Sequence, residues 1–189
     1  MTRRRGFTLV ELVLFIAILG IAMAGVLAAY DYAVRGSADP VVKKQALAIA
    51  ESLLEEIQQM AFTFCDPDDP QASTAQSASV GPTACSSAAQ VENSGPEPGE
   101  SRYSASTPFD NVNDYHGYDT AAEAPPGVKD ITNTLIAGLD AYNARVSVID
   151  AALPGVPAGE ALLITVIVDG PTNVSVRLDG YRTRYAPQL

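Results

Sequence analysis

Between Leu12 and Ala29 the chain runs for 18 residues without a charged side chain, and Phe7 to Leu9 carry the apolar character upstream. At about 1.5 Å per residue, a helix over Phe7 to Ala29 reaches roughly 34 Å, enough to cross bilayer hydrocarbon. A membrane helix is the minimum reading. Arg3, Arg4 and Arg5 precede the run, so the positive-inside rule keeps Met1 to Gly6 cytoplasmic and sends everything after about Tyr30 across the membrane. Ala22-Met23-Ala24 ahead of Gly25 has the form of a secretory cleavage site, so a removed signal peptide stands beside an inert single-pass anchor as an alternative. Neither accounts for Glu11, the sole ionisable residue between Gly6 and Ala29. A carboxylate at the bilayer centre costs roughly 2.5 to 3.5 kcal/mol on insertion scales, which makes Glu11 a functional residue in need of a partner.

With 189 residues and 47% of them hydrophobic, the chain suffices for one membrane segment and one modest domain. Its net charge is −10, from 12 basic and 22 acidic residues; loss of the three leader arginines would take the remainder to about −13. Such a surface repels phosphate backbones, so no nucleic-acid partner is expected. Arg177, Arg182 and Arg184 form a local basic group and are read as solvated strand positions. Cys65 and Cys85 stand twenty positions apart in a Ser-, Ala- and Pro-rich stretch. In an oxidising compartment they would close a surface loop, worth roughly 3 kcal/mol in the chain-entropy model; in a reducing one they would be free thiols.

The ordered set Arg5-Gly6-Phe7-Thr8-Leu9-Val10-Glu11-Leu12 closely resembles the type IV prepilin signature: a short basic leader ending in glycine, an aromatic new N-terminus, then Thr-Leu-Val-Glu and an apolar helix. The resemblance implies cleavage between Gly6 and Phe7 by prepilin peptidase, N-methylation of Phe7, and Glu11 as the fifth residue of the mature chain. Cleavage would create an ammonium four positions upstream of Glu11. In an apolar filament core that amine and a carboxylate, from its own chain or a neighbour, tolerate burial only as a pair. Two further stretches, LAIAESLLEEIQQMAFTFCDPDD and FDNVNDYHGY, are similar to the MSHA-type minor pilins, the MshD group. That likeness implies a low-abundance filament subunit that initiates or caps assembly, or modifies adhesion or motility. Its partners would be other pilin subunits, prepilin peptidase, and the inner membrane with its pilus assembly machinery. It would be stored in the bacterial inner membrane as a single-pass protein with an exported C-terminal domain, then carried to a pilus filament or the cell surface. A type II secretion pseudopilin shares the leader and helix and is the first alternative; a membrane-anchored or secreted ligand-binding domain is the second.

Beyond the apolar run, Gly36-Ser37-Ala38-Asp39-Pro40 combines a glycine, an N-cap candidate and a proline suited to a first helical turn, so a kink or break is expected there. From Val41 to Met60, Val42, Ala46, Ile49, Leu53 and Ile57 recur at steps of three and four, the pattern of an amphipathic helix docking on a domain. Residues 66–106 are poor in large apolar side chains and read as loop. Tyr142 to Ile149, Ala161 to Val168 and Asn173 to Tyr185 are β-branched and aromatic, with turn chemistry at Pro154-Gly155-Val156-Pro157 and Asp169-Gly170-Pro171; they predict an antiparallel meander with the apolar middle strand central. Asp130 to Leu139 reads equally as strand or short helix. The expected fold is α+β and pilin-like: a leader at 1–6, an apolar helix at 7–35, an amphipathic helix at 40–61, a long loop at 62–130 and an antiparallel sheet at 131–189.

One histidine, His116, and no arrangement of Ser/His/Asp or Cys/His spacing leave no basis for an enzyme, and no cofactor is expected. Cys65 to Asp69 and Phe109 to Asp119 are acidic enough to raise calcium as a possibility, but Val112 and Asp119 do not fit an EF-type loop. Turn-forming Asx residues explain the same letters. Tyr103, Tyr115 and Tyr118 are either contact points for a partner or anchors of the loop.

Overall fold

The computed structural model describes residues 8–184, apart from the side chains of residues 35–39. They form one α-helix, α1 (Leu9–Gln59), and three strands, β1 (Asn143–Asp150), β2 (Ala161–Asp169) and β3 (Ser175–Thr183), with short 3₁₀ turns at Ala88–Gln90, Val112–Tyr115 and Pro171–Asn173. The residues divide into two units between Val41 and Val42.

In the first unit, the described residues from Leu9 onward are helical. The helix start is set by Thr8, whose hydroxyl accepts the Glu11 amide at 3.3 Å while its carbonyl accepts the Leu12 amide at 3.2 Å, the work of an N-cap. Where two helices at 7–35 and 40–61 were expected, there is one. Pro40 lies inside α1, so the expected break is absent. An interior proline forfeits the hydrogen bond to the carbonyl four residues back, at a cost of about 3 kcal/mol. Helical sequence on both sides carries the chain through that single loss.

In the second unit the periodicity after Val41 resolves as expected. Ala46, Ala50, Leu53 and Ile57 are buried, with Val42 and Ile49 packed at the margin. They face a sheet of order β1-β2-β3, antiparallel throughout, in which Val146 pairs with Val166 and Ile164 with Gly180. β2 is central, and its Leu162, Ile164, Val166 and Val168 are buried with Ala144, Val146 and Val148 of β1. A Cβ at Gly180 would stand 3.0 Å from Leu54 Cδ1 and 2.5 Å from Gln58 Nε2. Glycine there lets β3 approach the helix closely.

The sheet begins at Asn143, not near residue 131. Asp130 to Leu139, left open between strand and helix, is neither: Asp130 Oδ1 accepts the amides of Thr132 and Thr134, both at 2.9 Å, and an Asx turn occupies the segment. Arg177 is an exposed strand residue paired with Asp179 at 3.0 Å, but the reading of Arg182 and Arg184 as solvated is corrected. Arg182 donates to the Met60 carbonyl at 3.2 Å and Arg184 to that of Phe62 at 3.0 Å. Both satisfy backbone acceptors just past the helix end.

Candidate functional site

The loop between helix and sheet is held by specific side chains. Cys65 and Cys85 are disulfide-bonded, with Cα atoms 5.4 Å apart, and Asp69 buttresses the closed loop by accepting the amides of Gln71 and Ser86, both at 2.8 Å. Glu56 of α1 binds the Arg102 guanidinium through both oxygens, at 2.7 and 2.6 Å, and accepts the Tyr115 hydroxyl at 2.8 Å. Tyr103 and Tyr118 share a 2.6 Å hydrogen bond, and Phe109, Tyr115 and Tyr118 pack edge to face. Tyr115 and Tyr118 are buried. These tyrosines, with Tyr103 tied to them, anchor the loop to the domain.

Within this loop, three carboxyl groups from different stretches meet. Glu92 follows the bridge between Cys65 and Val91 and is fixed by its amide to the Phe64 carbonyl at 3.2 Å. Glu97 sits between Pro96 and Pro98, in a turn tied to the 3₁₀ segment by the Gly95 amide on the Asn113 carbonyl at 3.1 Å. Asp114 closes the capping box of that segment: its Oδ2 accepts the amides of Asp110 and Asn111 at 2.9 and 2.7 Å. One ligand oxygen of each of the three lies within 4.8 Å of those of the other two. Both oxygens of Glu92, Oε2 of Glu97 and Oδ1 of Asp114 are buried without a hydrogen-bond partner. Burial, then the carboxylates of Asp114, Glu97, Asp66 and Asp110, push the Glu92 carboxyl up to about 10. Asp114 is pushed up to about 7, first by burial.

Two other acidic groups are less provocative. Asp66, Asp68 and Asp110 also converge within 4.8 Å, but Asp66 is occupied by the Asp68 amide at 2.7 Å and the Gln90 side chain at 3.3 Å. Cys65, Asp69 and Cys85 come together, yet the sulfurs are bonded to one another and offer no thiolate. The stretches first weighed for calcium, Cys65 to Asp69 and Phe109 to Asp119, contribute only Asp114 to the unpartnered triad. Glu92 and Glu97 were missed, because single acidic residues in a Ser/Pro/Gly-rich stretch carry no spacing signal.

At the other end of the chain, Gly6 and Phe7 lie outside the described residues. Glu11 occupies the first turn of α1 and is exposed. From Leu9 to Val34 the helix is long and apolar enough to cross a membrane, and none of its most apolar window is buried. Phe15, Ile18, Ile21, Val26 and Leu27 are each more than half exposed. Apolar surface on this scale calls for lipid or for other apolar helices.

The family model of the prokaryotic N-terminal methylation motif matches residues 1–27. No curated protein and no solved structure matches the chain. The motif supports a type IV pilin-like protein, a class that takes in pilins and pseudopilins and is structural, not enzymatic. It implies processing by prepilin peptidase and assembly with other pilins, and together with the apolar helix it suggests membrane anchoring.

Proposed function

We propose that the chain is a minor type IV pilin of the MSHA type: stored in the inner membrane, cut between Gly6 and Phe7, methylated on Phe7, and built into a filament through α1. The observation that carries the reading is the apolar span Leu9–Val34 of α1, whose most apolar window is wholly unburied, with the carboxylate of Glu11 in the first turn of the helix. In the membrane, a first-turn position lets Glu11 reach toward the headgroups. In a filament core the carboxylate is enclosed, and the ammonium released by cleavage offsets its charge. An uncompensated buried charge costs about 3 to 5 kcal/mol, so a correctly placed neighbour is selected over a misplaced one.

Glu11→Ala is expected to leave membrane levels unchanged while incorporation into sheared filaments falls at least about tenfold, the effect of about 1.4 kcal/mol per interface. Equal incorporation of the variant sinks the pairing. Mass spectrometry of the mature N-terminus is expected to find methylated Phe7; a start at Gly25 or an intact Met1 points to the anchored or secreted binding domain. The same motif admits a type II secretion pseudopilin, and deleting the gene separates the two: loss of piliation fits the pilin, loss of secreted enzymes the pseudopilin.

A further inference from the structure

We propose that Glu92, Glu97 and Asp114 form a binding site for a calcium ion that locks the loop preceding the sheet. Four buried oxygens, two on Glu92 and one each on Glu97 and Asp114, have no hydrogen-bond partner, and a ligand oxygen of each acid lies within 4.8 Å of one from each of the other two. Glu92 is 7% exposed and Asp114 1% exposed, so water does not satisfy these oxygens freely. A buried carboxylate oxygen with neither donor nor cation is costly, and here three acids are gathered at once. Local structure accounts for only part of it. Asp114 Oδ2 is used by the capping box while its Oδ1 has no hydrogen-bond partner; Glu92 accepts nothing at all.

Among the described residues, no lysine or arginine forms an ion pair with Glu92, Glu97 or Asp114. Arg184 pairs with Glu160 at 3.1 Å, donates to the Phe62 carbonyl and has the rings of Phe62 and Phe64 each 3.8 Å from its guanidinium carbon. Arg102 is held by Glu56. A bound metal ion would supply the positive charge that the three acids lack. The donors are all carboxylate oxygen, with no nitrogen or thiolate, which selects a hard cation. Among hard cations calcium tolerates irregular carboxylate cages and bidentate glutamate, whereas magnesium demands octahedral geometry and retains its waters. Glu92, with both oxygens unpartnered, would supply the bidentate group, and it lines a cavity of about 510 Å³. The ion would tie the segment after the Cys65–Val91 bridge and the Pro96–Pro98 turn to the Val112–Tyr115 turn, whose Val112 and Tyr115 are seated in the main core.

The test uses the full chain in detergent, stripped with a chelator and dialysed against calcium chloride, with bound calcium counted by elemental mass spectrometry and unfolding followed by tyrosine fluorescence. One calcium per chain and a raised melting temperature are expected, with magnesium at the same concentration doing neither. Glu92→Gln and Glu97→Gln are each expected to weaken calcium binding about tenfold or more, since affinity follows ligand charge. Glu97 is only part-buried, so its variant keeps the measurement interpretable should Glu92→Gln fold poorly. Asp68→Asn, in the neighbouring acidic group, is expected to bind as the parent does. Absence of stoichiometric calcium overturns the site, as do wild-type binding by Glu97→Gln or loss of binding confined to Asp68→Asn. Binding is read in solution, so failure here leaves the assembly reading intact, and the reverse holds too.

Discussion

Glu56 shows how one charged residue on the domain-facing stretch of α1 organises the chain far from it in sequence. Burial by itself raises its pKa, but the Arg102 guanidinium and then the Tyr115 hydroxyl outweigh burial and hold the carboxyl below its ordinary value. Arg102 also lies over the Tyr103 ring, 5.2 Å from its centroid. Replacing Arg102 with Met would leave a half-buried carboxylate with Tyr115 as its remaining named partner, and a loss of about 2 kcal/mol is expected in denaturant unfolding. The pH dependence has a definite sign. A carboxyl with a lowered folded pKa contributes stability in full above its unfolded value, about 4.3, and loses it as pH falls through the folded value. Arg102→Met is therefore expected to flatten the acid limb of the stability profile below about pH 4.3 while lowering the plateau above it; parallel profiles would show that the pair does not stabilise the fold.

At the scale of elements, the stretch from Cys65 to Cys85 depends on cross-links more than on core. Within the loop that the disulfide closes, the other buried apolar residues are the small Ala72 and Ala84, with Phe64, Ala75 and Val91 packed beside the bridge. A closed loop of this length is worth roughly 3 kcal/mol in the chain-entropy model, so a Cys65→Ser/Cys85→Ser double variant is expected to lose about that much, read as a lower midpoint in urea. An unchanged midpoint would mean that the Asp69 contacts alone order the loop. The helix face and the three strands were legible because their residues repeat at periods of 3.6 and 2 against one core. The loop was not, since its order comes from pairs such as Glu56 with Arg102 and Glu92 with Asp114, which no local period announces. Pro40 misled for a related reason: a local breaker was outweighed by helical sequence on either side. Arg184 misled because alternation along a strand does not reveal an end that turns back on Phe62.

For the whole molecule, the division between Val41 and Val42 separates two kinds of surface. Every buried residue of the main core, from Ala46 to Val176, belongs to the second unit, while the span Leu9 to Val34 buries none of its most apolar window. The apolar span therefore adds nothing to that core, and its large exposed area is a demand for lipid or for companion helices. A chain beginning at Val41 is expected to remain soluble without detergent, to retain the Cys65–Cys85 bridge, and to unfold in urea within about 0.5 kcal/mol of the full chain in mild detergent, the scale of substitutions remote from a core. Sedimentation is expected to find it monomeric, because the surface that seeks partners has been removed. Were the shortened chain to aggregate or to unfold at a much lower midpoint, residues before Val41 would be stabilising the domain directly, and the helix could not serve only as anchor and assembly element.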